Sequence, residues 1–227
     1  MGGDNTTKKR AATILRVLQQ TLTLPKWVKS RRDSFETVVT TILSQNTADM
    51  NTARAFEALS KRFEITPEAL AKAELSKIED AIRISGLYKS KAKTIKQAAT
   101  TILEKYNGTL KPILSLPLEE ARKTLMQFPG VGTKTADVVL LFSATQPTIP
   151  VDTHVNRVTK RLGFASENGD YEAVRKSLQS LYEPNQYLTV HLLLIAHGRR
   201  YCKARKPLCD ECPVHLECPS KGLWKQP

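Results

Sequence analysis

The sequence predicts an all-α protein, on the period of its apolar residues and on its helix start signals. Nearly every segment longer than ten residues spaces its apolar side chains at helical period, as Phe35, Val38, Val39, Ile42 and Leu43 do, or Leu192 to Ala196 within Tyr187 to His197. No stretch shows the strict alternation that a large sheet requires. Start signals divide this pattern into about ten short helices with tight connections.

Taken along the chain, Ala11 to Leu24 reads as an amphipathic helix, with Arg16, Gln19 and Gln20 among its apolar positions; it is too short and too polar to span a bilayer. The helix holding Phe35 to Leu43 follows. Thr66 before Pro67 is a cap followed by a first-turn proline, Ser76 with Glu79 forms a capping box, and Leu116 before Pro117 opens a helix with Glu119 and Glu120 in its first turn. Two apolar-periodic segments then meet through Pro129-Gly130-Val131-Gly132, and the second begins near Thr133. Asp152, after Pro147 and Pro150, is the N-cap of a helix over Thr153 to Leu162. No repeat, low-complexity tract or Gly/Ser linker marks a domain boundary.

The chain has 227 residues, 41% hydrophobic and 25% charged, the composition of a soluble globular protein of one large domain or two small ones. Lys and Arg number 35 against 22 Asp and Glu, and the net charge of +13 favours a polyanionic partner such as nucleic acid. Met1 to Arg10 carries charge but leads into no apolar run with a small-residue cleavage site, so a secretory signal is not expected. These features place the protein in a reducing intracellular compartment, without a membrane partner. In such a compartment four clustered cysteines point to a metal site rather than to disulfides.

Those cysteines are Cys202, Cys209, Cys212 and Cys218, in the spacing C-x6-C-x2-C-x5-C. Four thiolates suit a structural zinc. Zinc modules, however, pair two short hooks across a longer spacer, and here only Cys209 and Cys212 form a hook; an iron-sulfur cluster is the other reading. Five of the eight residues from 199 to 206 are basic. A charge run is commonly a solvated face, whereas a loop fixed at both ends by ligands presents Lys203, Arg205 and Lys206 as ordered cations for phosphates.

Gly130 and Gly132 permit backbone conformations that other residues resist and remove side chains that would block a phosphate. Their amides, with the helix start at Thr133, form an anion cradle, although Pro-Gly-x-Gly also serves as a plain corner between helices. Lys134 falls in the first turn of the following helix, where the dipole opposes its charge. A lysine that must be neutral to act as a nucleophile gains from that placement. Asp152 lies eighteen residues further on, and a capping carboxylate is rigidly held. His154 is read as structural.

These motifs together resemble endonuclease III and its relatives in the helix-hairpin-helix DNA glycosylase superfamily. The family's L-P-G-V-G-x-K-T-A stands as Phe128 to Ala136, V-D-T-H as Val151 to His154, and G-L-Y-x-S-K-A as Gly86 to Ala92. H-G-R-x-x-C-x-A-R-K-P-x-C-x-x-C runs from His197 to Cys212, and Cys218 completes the family's four-cysteine [4Fe-4S] pattern. The resemblance implies a two-lobed all-helical fold with a DNA groove between the lobes: a six-helix bundle carrying the helix-hairpin-helix over residues 26–146, and an iron-sulfur cluster domain from 1–25 and 147–227. It further implies that Lys134 is the nucleophile and Schiff-base residue and Asp152 the assisting carboxylate. Leu87 is the wedge beside the extruded base, and the [4Fe-4S] cluster is structural in the first instance.

Where bacterial members read L-S-x-Q-x-T-D, this chain reads Leu43-Ser44-Gln45-Asn46-Thr47-Ala48-Asp49, so either Gln45 or Asn46 fills the gap left by the base, with Gln45 favoured. The implied activity is that of a bifunctional DNA glycosylase and AP lyase of base excision repair, removing oxidised or otherwise damaged pyrimidines from duplex DNA as a monomer in the cytoplasm or nucleoid. One alternative is a mismatch-specific adenine or uracil/thymine glycosylase of the same fold. The adenine-specific relatives lack the hairpin lysine, carry a glutamate where Thr40 and Thr41 stand, and extend beyond the point equivalent to Pro227. A non-enzymatic iron-sulfur DNA-binding module is the other alternative, but it has no need of Lys134 with Asp152.

Overall fold

A computed structural model of the chain describes residues 2–24 and 33–223. Twelve α-helices and three short 3-10 turns make up the regular structure of the described residues, and no strand is found among them. The chain divides into two compact units, Arg31–Gln146 and Met1–Ser30 with Pro147–Pro227. The boundary expected between residues 25 and 26 lies outside the described residues.

The central unit contains α2 (Ser34–Ser44), α3 (Asp49–Ser60), α4 (Pro67–Lys72), α5 (Leu75–Ile82), α6 (Tyr88–Tyr106), α7 (Lys111–Leu114), α8 (Leu118–Leu125) and α9 (Thr133–Ala144). Six of these have eight or more residues; α4 and α7 are a turn or so each. Helix α2 starts at Asp33, whose Oδ1 accepts from the amides of Phe35 and Glu36, and buries Phe35, Val38, Val39, Ile42 and Leu43 on one stripe. That stripe packs on α9 and on the long α6, which supplies Ile95, Ala99 and Ile102. Each large aliphatic side chain so buried contributes about 1.5–3 kcal/mol. A buried bidentate ion pair, Arg122 Nε to Asp137 Oδ1 at 2.8 Å and Arg122 Nη2 to Asp137 Oδ2 at 3.2 Å, ties α8 to α9.

The other unit contains α1 (Gly2–Thr21), α10 (Thr153–Arg161), α11 (Tyr171–Leu181) and α12 (Tyr187–Arg200), followed by the cysteine segment. Ala11, Ile14, Leu15 and Leu18 recur at helical spacing and face inward; α1 packs on α11 and α12, and the Tyr182 hydroxyl donates to the Ala11 carbonyl at 3.3 Å. Arg10 donates to the carbonyls of Leu162 at 2.7 Å and Glu217 at 2.9 Å and lies over the Phe164 ring, joining α1 to the end of the cysteine segment.

Three helix starts differ from the sequence expectation. Helix α1 begins at Gly2, because the polar run from Asp4 to Arg10 contains no proline or glycine to stop it. Helix α5 begins at Leu75, and Glu74 occupies the cap, its carbonyl accepting from Lys77 and Ile78; Ser76 is already in the first turn and forms no capping box. Pro117 is the cap of α8 rather than its first residue, with extended ψ and its carbonyl bonded to the Ala121 amide. Thr66 caps α4 as expected, its hydroxyl accepting from the Ala69 amide.

Candidate functional site

In the central unit, the connection between α8 and α9 is pinned by its apolar residues. Phe128 and Val131 are buried in the bundle core, and the Phe128 ring lies 5.5 Å from that of Tyr106. Gly130 has φ +74°, and a Cβ there would sit 2.2 Å from Thr94 Cγ2, so only glycine fits. Gly132 is different. Its φ of −92° and ψ of −176° suit any residue, and a Cβ would meet nothing within 4 Å. Its backbone imposes no glycine, contrary to expectation; what it leaves is an uncovered surface in front of α9. Gly132 is the cap of α9 with no side-chain bond to the helix, so the first-turn amides from Thr133 onward face this open side with the positive end of the dipole. Half-buried Lys134 stands in that first turn.

Two further loops of the same unit carry residues singled out in the sequence. Gln45 and Asn46 follow α2 and are both exposed; Gln45 Nε2 donates to the Gly130 carbonyl at 3.2 Å, while Asn46 adopts a left-handed φ of 53°. Leu87, also left-handed at φ 47°, caps α6 and is 64% exposed.

In the second unit, Asp152 caps α10, its Oδ1 accepting from the Val155 amide at 2.7 Å. The residues before it are held from two sides: His191 Nδ1 lies 2.9 Å from the Pro150 carbonyl, and the Val151 amide donates to the Tyr171 hydroxyl at 3.3 Å. His154 has the structural place expected of it, packed against Gly198 and 3.0 Å from Arg157.

The cysteine segment wraps one cavity lined by Cys202, Cys209, Cys212 and Cys218 with Leu162, Leu208 and Val214. Burial, and after it proximity to the other three sulfurs, pushes the Cys212 thiol up to about 11. Cys218 is raised likewise, first by burial. Burial resists ionisation of Cys212 and Cys218, a cost that a positively charged centre between the thiols would offset. Four cysteines around one cavity give the all-thiolate ligand set that an iron-sulfur cluster takes. Two nitrogens reach the sulfurs: Arg161 Nη1 donates to Cys202 Sγ at 3.5 Å, and His197 Nε2 lies 3.8 Å from Cys212 Sγ. His197 is kept neutral by burial, which lowers its pKa to about 4.

The basic loop is held by α10. Arg161 donates to the carbonyls of Lys203 at 2.7 Å and Ala204 at 3.2 Å, and Arg157 to that of Cys202 at 2.9 Å. Lys203, Arg205 and Lys206 are exposed on this frame, and Lys206 has a left-handed φ of 52°.

Residues 39–184 match the model of the HhH-GPD superfamily of base excision DNA repair proteins, and residues 202–215 that of the iron-sulfur binding domain of endonuclease III. The chain is 39% identical to the endonuclease III of Sulfolobus acidocaldarius over 82% of each protein, and 36% identical to that of Thermotoga maritima over 82% of this chain and 83% of the relative. The chain belongs to the endonuclease III family. A solved non-covalent complex of endonuclease III with DNA superposes with a TM-score of 0.81 at 31% identity, covering 94% of this chain and 96% of the other. A trapped covalent endonuclease III-DNA intermediate gives 0.80 at 30% identity, over 97% and 98%.

Membership settles the fold as the all-helical helix-hairpin-helix glycosylase type and the cofactor as a [4Fe-4S] cluster. No helix among the described residues is long and apolar enough to cross a membrane. The residues that sequence reasoning missed act through tertiary contacts: Arg157 and Arg161 under the basic loop, His191 and Tyr171 beside Asp152, and Lys91, which is buried between two loops. Only Lys91 left a trace, as the lysine of the Gly86 to Ala92 motif.

Proposed function

We propose that this endonuclease III family member removes oxidised or otherwise damaged pyrimidines from duplex DNA and then nicks the strand through Lys134. The observation that carries this reading is a lysine in the first turn of α9, behind a hairpin whose Gly130 is sterically required and whose Gly132 leaves the approach open. A nucleophilic amine beside a ready anion cradle suits attack on a sugar flanked by phosphates.

A base within the duplex is out of reach, so the damaged nucleotide is extruded first, at lower cost than a sound one. Leu87 enters the stack as a wedge, and Gln45 or Asn46 takes the space the base leaves. Gly130, Gly132 and Thr133 hold one backbone phosphate, and Lys203, Arg205 and Lys206 hold others. The neutral Lys134 amine attacks C1′; the C1′–N bond to the base breaks, the base leaves with a proton, and the ring opens to an imine. Loss of a C2′ proton and departure of the 3′ phosphate break the strand, and water then hydrolyses the imine to free Lys134. Asp152 supplies a carboxylate that balances positive charge on the sugar or carries a proton.

We assign Cys202, Cys209, Cys212 and Cys218 as the four ligands of the [4Fe-4S] cluster, which braces the basic loop. We place the protein in the cytoplasm, at the nucleoid, acting as a monomer. A panel of duplexes with single lesions, scored separately for base release and strand cutting, tests the reading. Oxidised pyrimidines should give both products together; base release without cutting, on mismatches alone, would favour the mismatch-specific alternative.

A further inference from the structure

Lys91 sits on the first turns of α6 with a residual exposure of 4%, and no acidic side chain among the described residues pairs with it. Its Nζ donates to the Leu43 carbonyl at 2.8 Å, the Thr47 hydroxyl at 2.6 Å and the Ser85 carbonyl at 2.7 Å. An ammonium has three protons, and all three are used. The Leu43 carbonyl belongs to the last turn of α2, where a cation also meets the negative end of the helix dipole. Thr47 in turn bonds to the Ser85 carbonyl, and to that of Gln45 at 3.0 Å.

The acceptors belong to two loops that are distant in sequence. Leu43 and Thr47 bracket Gln45 and Asn46. Ser85 precedes Gly86 and Leu87, both with positive φ, so the Leu87 side chain leaves a turn whose Ser85 carbonyl is held by Lys91. Burying a lysine without a carboxylate is costly, and desolvation lowers its pKa from the ordinary value; such a group persists where its hydrogen bonds hold a particular geometry.

We propose that Lys91 is a positioning residue that sets the spacing between the Gln45–Asn46 loop and Leu87, so that wedge and gap-filler enter the duplex as one rigid device. This rests on the reading that Leu87 and the Gln45–Asn46 loop are the inserted elements. Lys91 touches neither the sugar nor the base; its contribution is to base extrusion and not to imine chemistry. Methionine preserves its length and apolar stem while removing all three donors.

The test uses cluster-loaded protein and a lesion duplex with 2-aminopurine beside the lesion, whose fluorescence reports unstacking. Borohydride trapping on a single-stranded abasic oligonucleotide, which needs no extrusion, is the control. Lys91→Met should slow the unstacking signal about tenfold or more while leaving single-strand trapping at the parent rate, since misplacing a positioned group by an ångström can cost up to about a hundredfold. Thr47→Val removes one link without emptying the cation's site and should show a smaller slowing of the same sign; it carries the test if Lys91→Met fails to fold. Leu87→Ala separates the two layers of the argument. If Leu87→Ala slows unstacking and neither Lys91→Met nor Thr47→Val does, the positioning role is wrong. If Leu87→Ala itself leaves unstacking unchanged, the insertion reading beneath it is wrong. Loss of single-strand trapping in Lys91→Met would also overturn the proposal, because the lysine would then support the chemistry.

Discussion

Arg161 donates to the main-chain oxygen of Lys203 at 2.7 Å, so the basic loop is bolted to the helix that Asp152 caps. The loop's cations are therefore ordered before DNA arrives, and less entropy is lost on binding. Affinity for duplex DNA should fall linearly in a plot of log affinity against log salt. Alanine at Lys203, Arg205 and Lys206 together should shrink that slope by ~0.9 for each phosphate that is no longer neutralised. Titration at several salt concentrations measures it; an unchanged slope would return the loop to a solvated surface.

The two hairpin glycines should separate cleanly. Gly130→Ala places a methyl carbon 2.2 Å from Thr94 Cγ2 at φ +74°, and the left-handed backbone alone costs about 1–2 kcal/mol. Gly132→Ala meets no atom within 4 Å and should leave the urea midpoint nearly unchanged while weakening binding to DNA. Urea denaturation and DNA titration of both variants check this; equal stability losses would mean that Gly132 is structural.

The Arg122–Asp137 pair is buried, and breaking it removes the carboxylate from Nε and Nη2 of Arg122 while Nη1 keeps the exposed Glu119. Asp137→Ala should cost about 3–5 kcal/mol, whereas replacing both partners with apolar residues of similar volume should cost far less. Urea unfolding of the single and double variants measures the difference; comparable losses in both would show that the clamp itself, not the buried charge left half-paired, supplies the stability.

Local signals were legible in the sequence, and long-range ones were not. The hairpin, the Asp152 cap and the cysteine segment each lie within a short stretch, where glycine, capping residue or ligand spacing states the geometry directly. Lys91 illustrates the opposite case: its acceptor at Leu43 lies 48 residues away, and no periodicity records such a pairing. Arg10, bonded to Glu217 across 207 residues, is equally silent. The misplaced starts at Ser76 and Pro117 reflect competition between adjacent residues for one cap, which packing of Ile78, Ala121 and Leu125 into the core decides.

Asp152 has a capping role in the structure and a catalytic role in the proposed reaction, and one substitution divides them. Asparagine retains the oxygen that accepts from Val155 but not the charge. Asp152→Asn should therefore keep its thermal midpoint and its affinity for lesion DNA while losing most turnover. Single-turnover base release together with a melting curve provides the check; normal turnover would remove Asp152 from the mechanism, and a large loss of stability would reduce it to a cap.

The central claim is that Lys134 forms the covalent bond to the sugar. Borohydride added during turnover on a lesion duplex should reduce the imine and leave the protein cross-linked to DNA, seen as one shifted band on a denaturing gel. Lys134→Ala should abolish that band while binding the duplex as before, because Thr133 and the hairpin amides proposed to hold the phosphate are untouched. Robust trapping by the Lys134→Ala protein would mean that another amine is the nucleophile and would contradict the account.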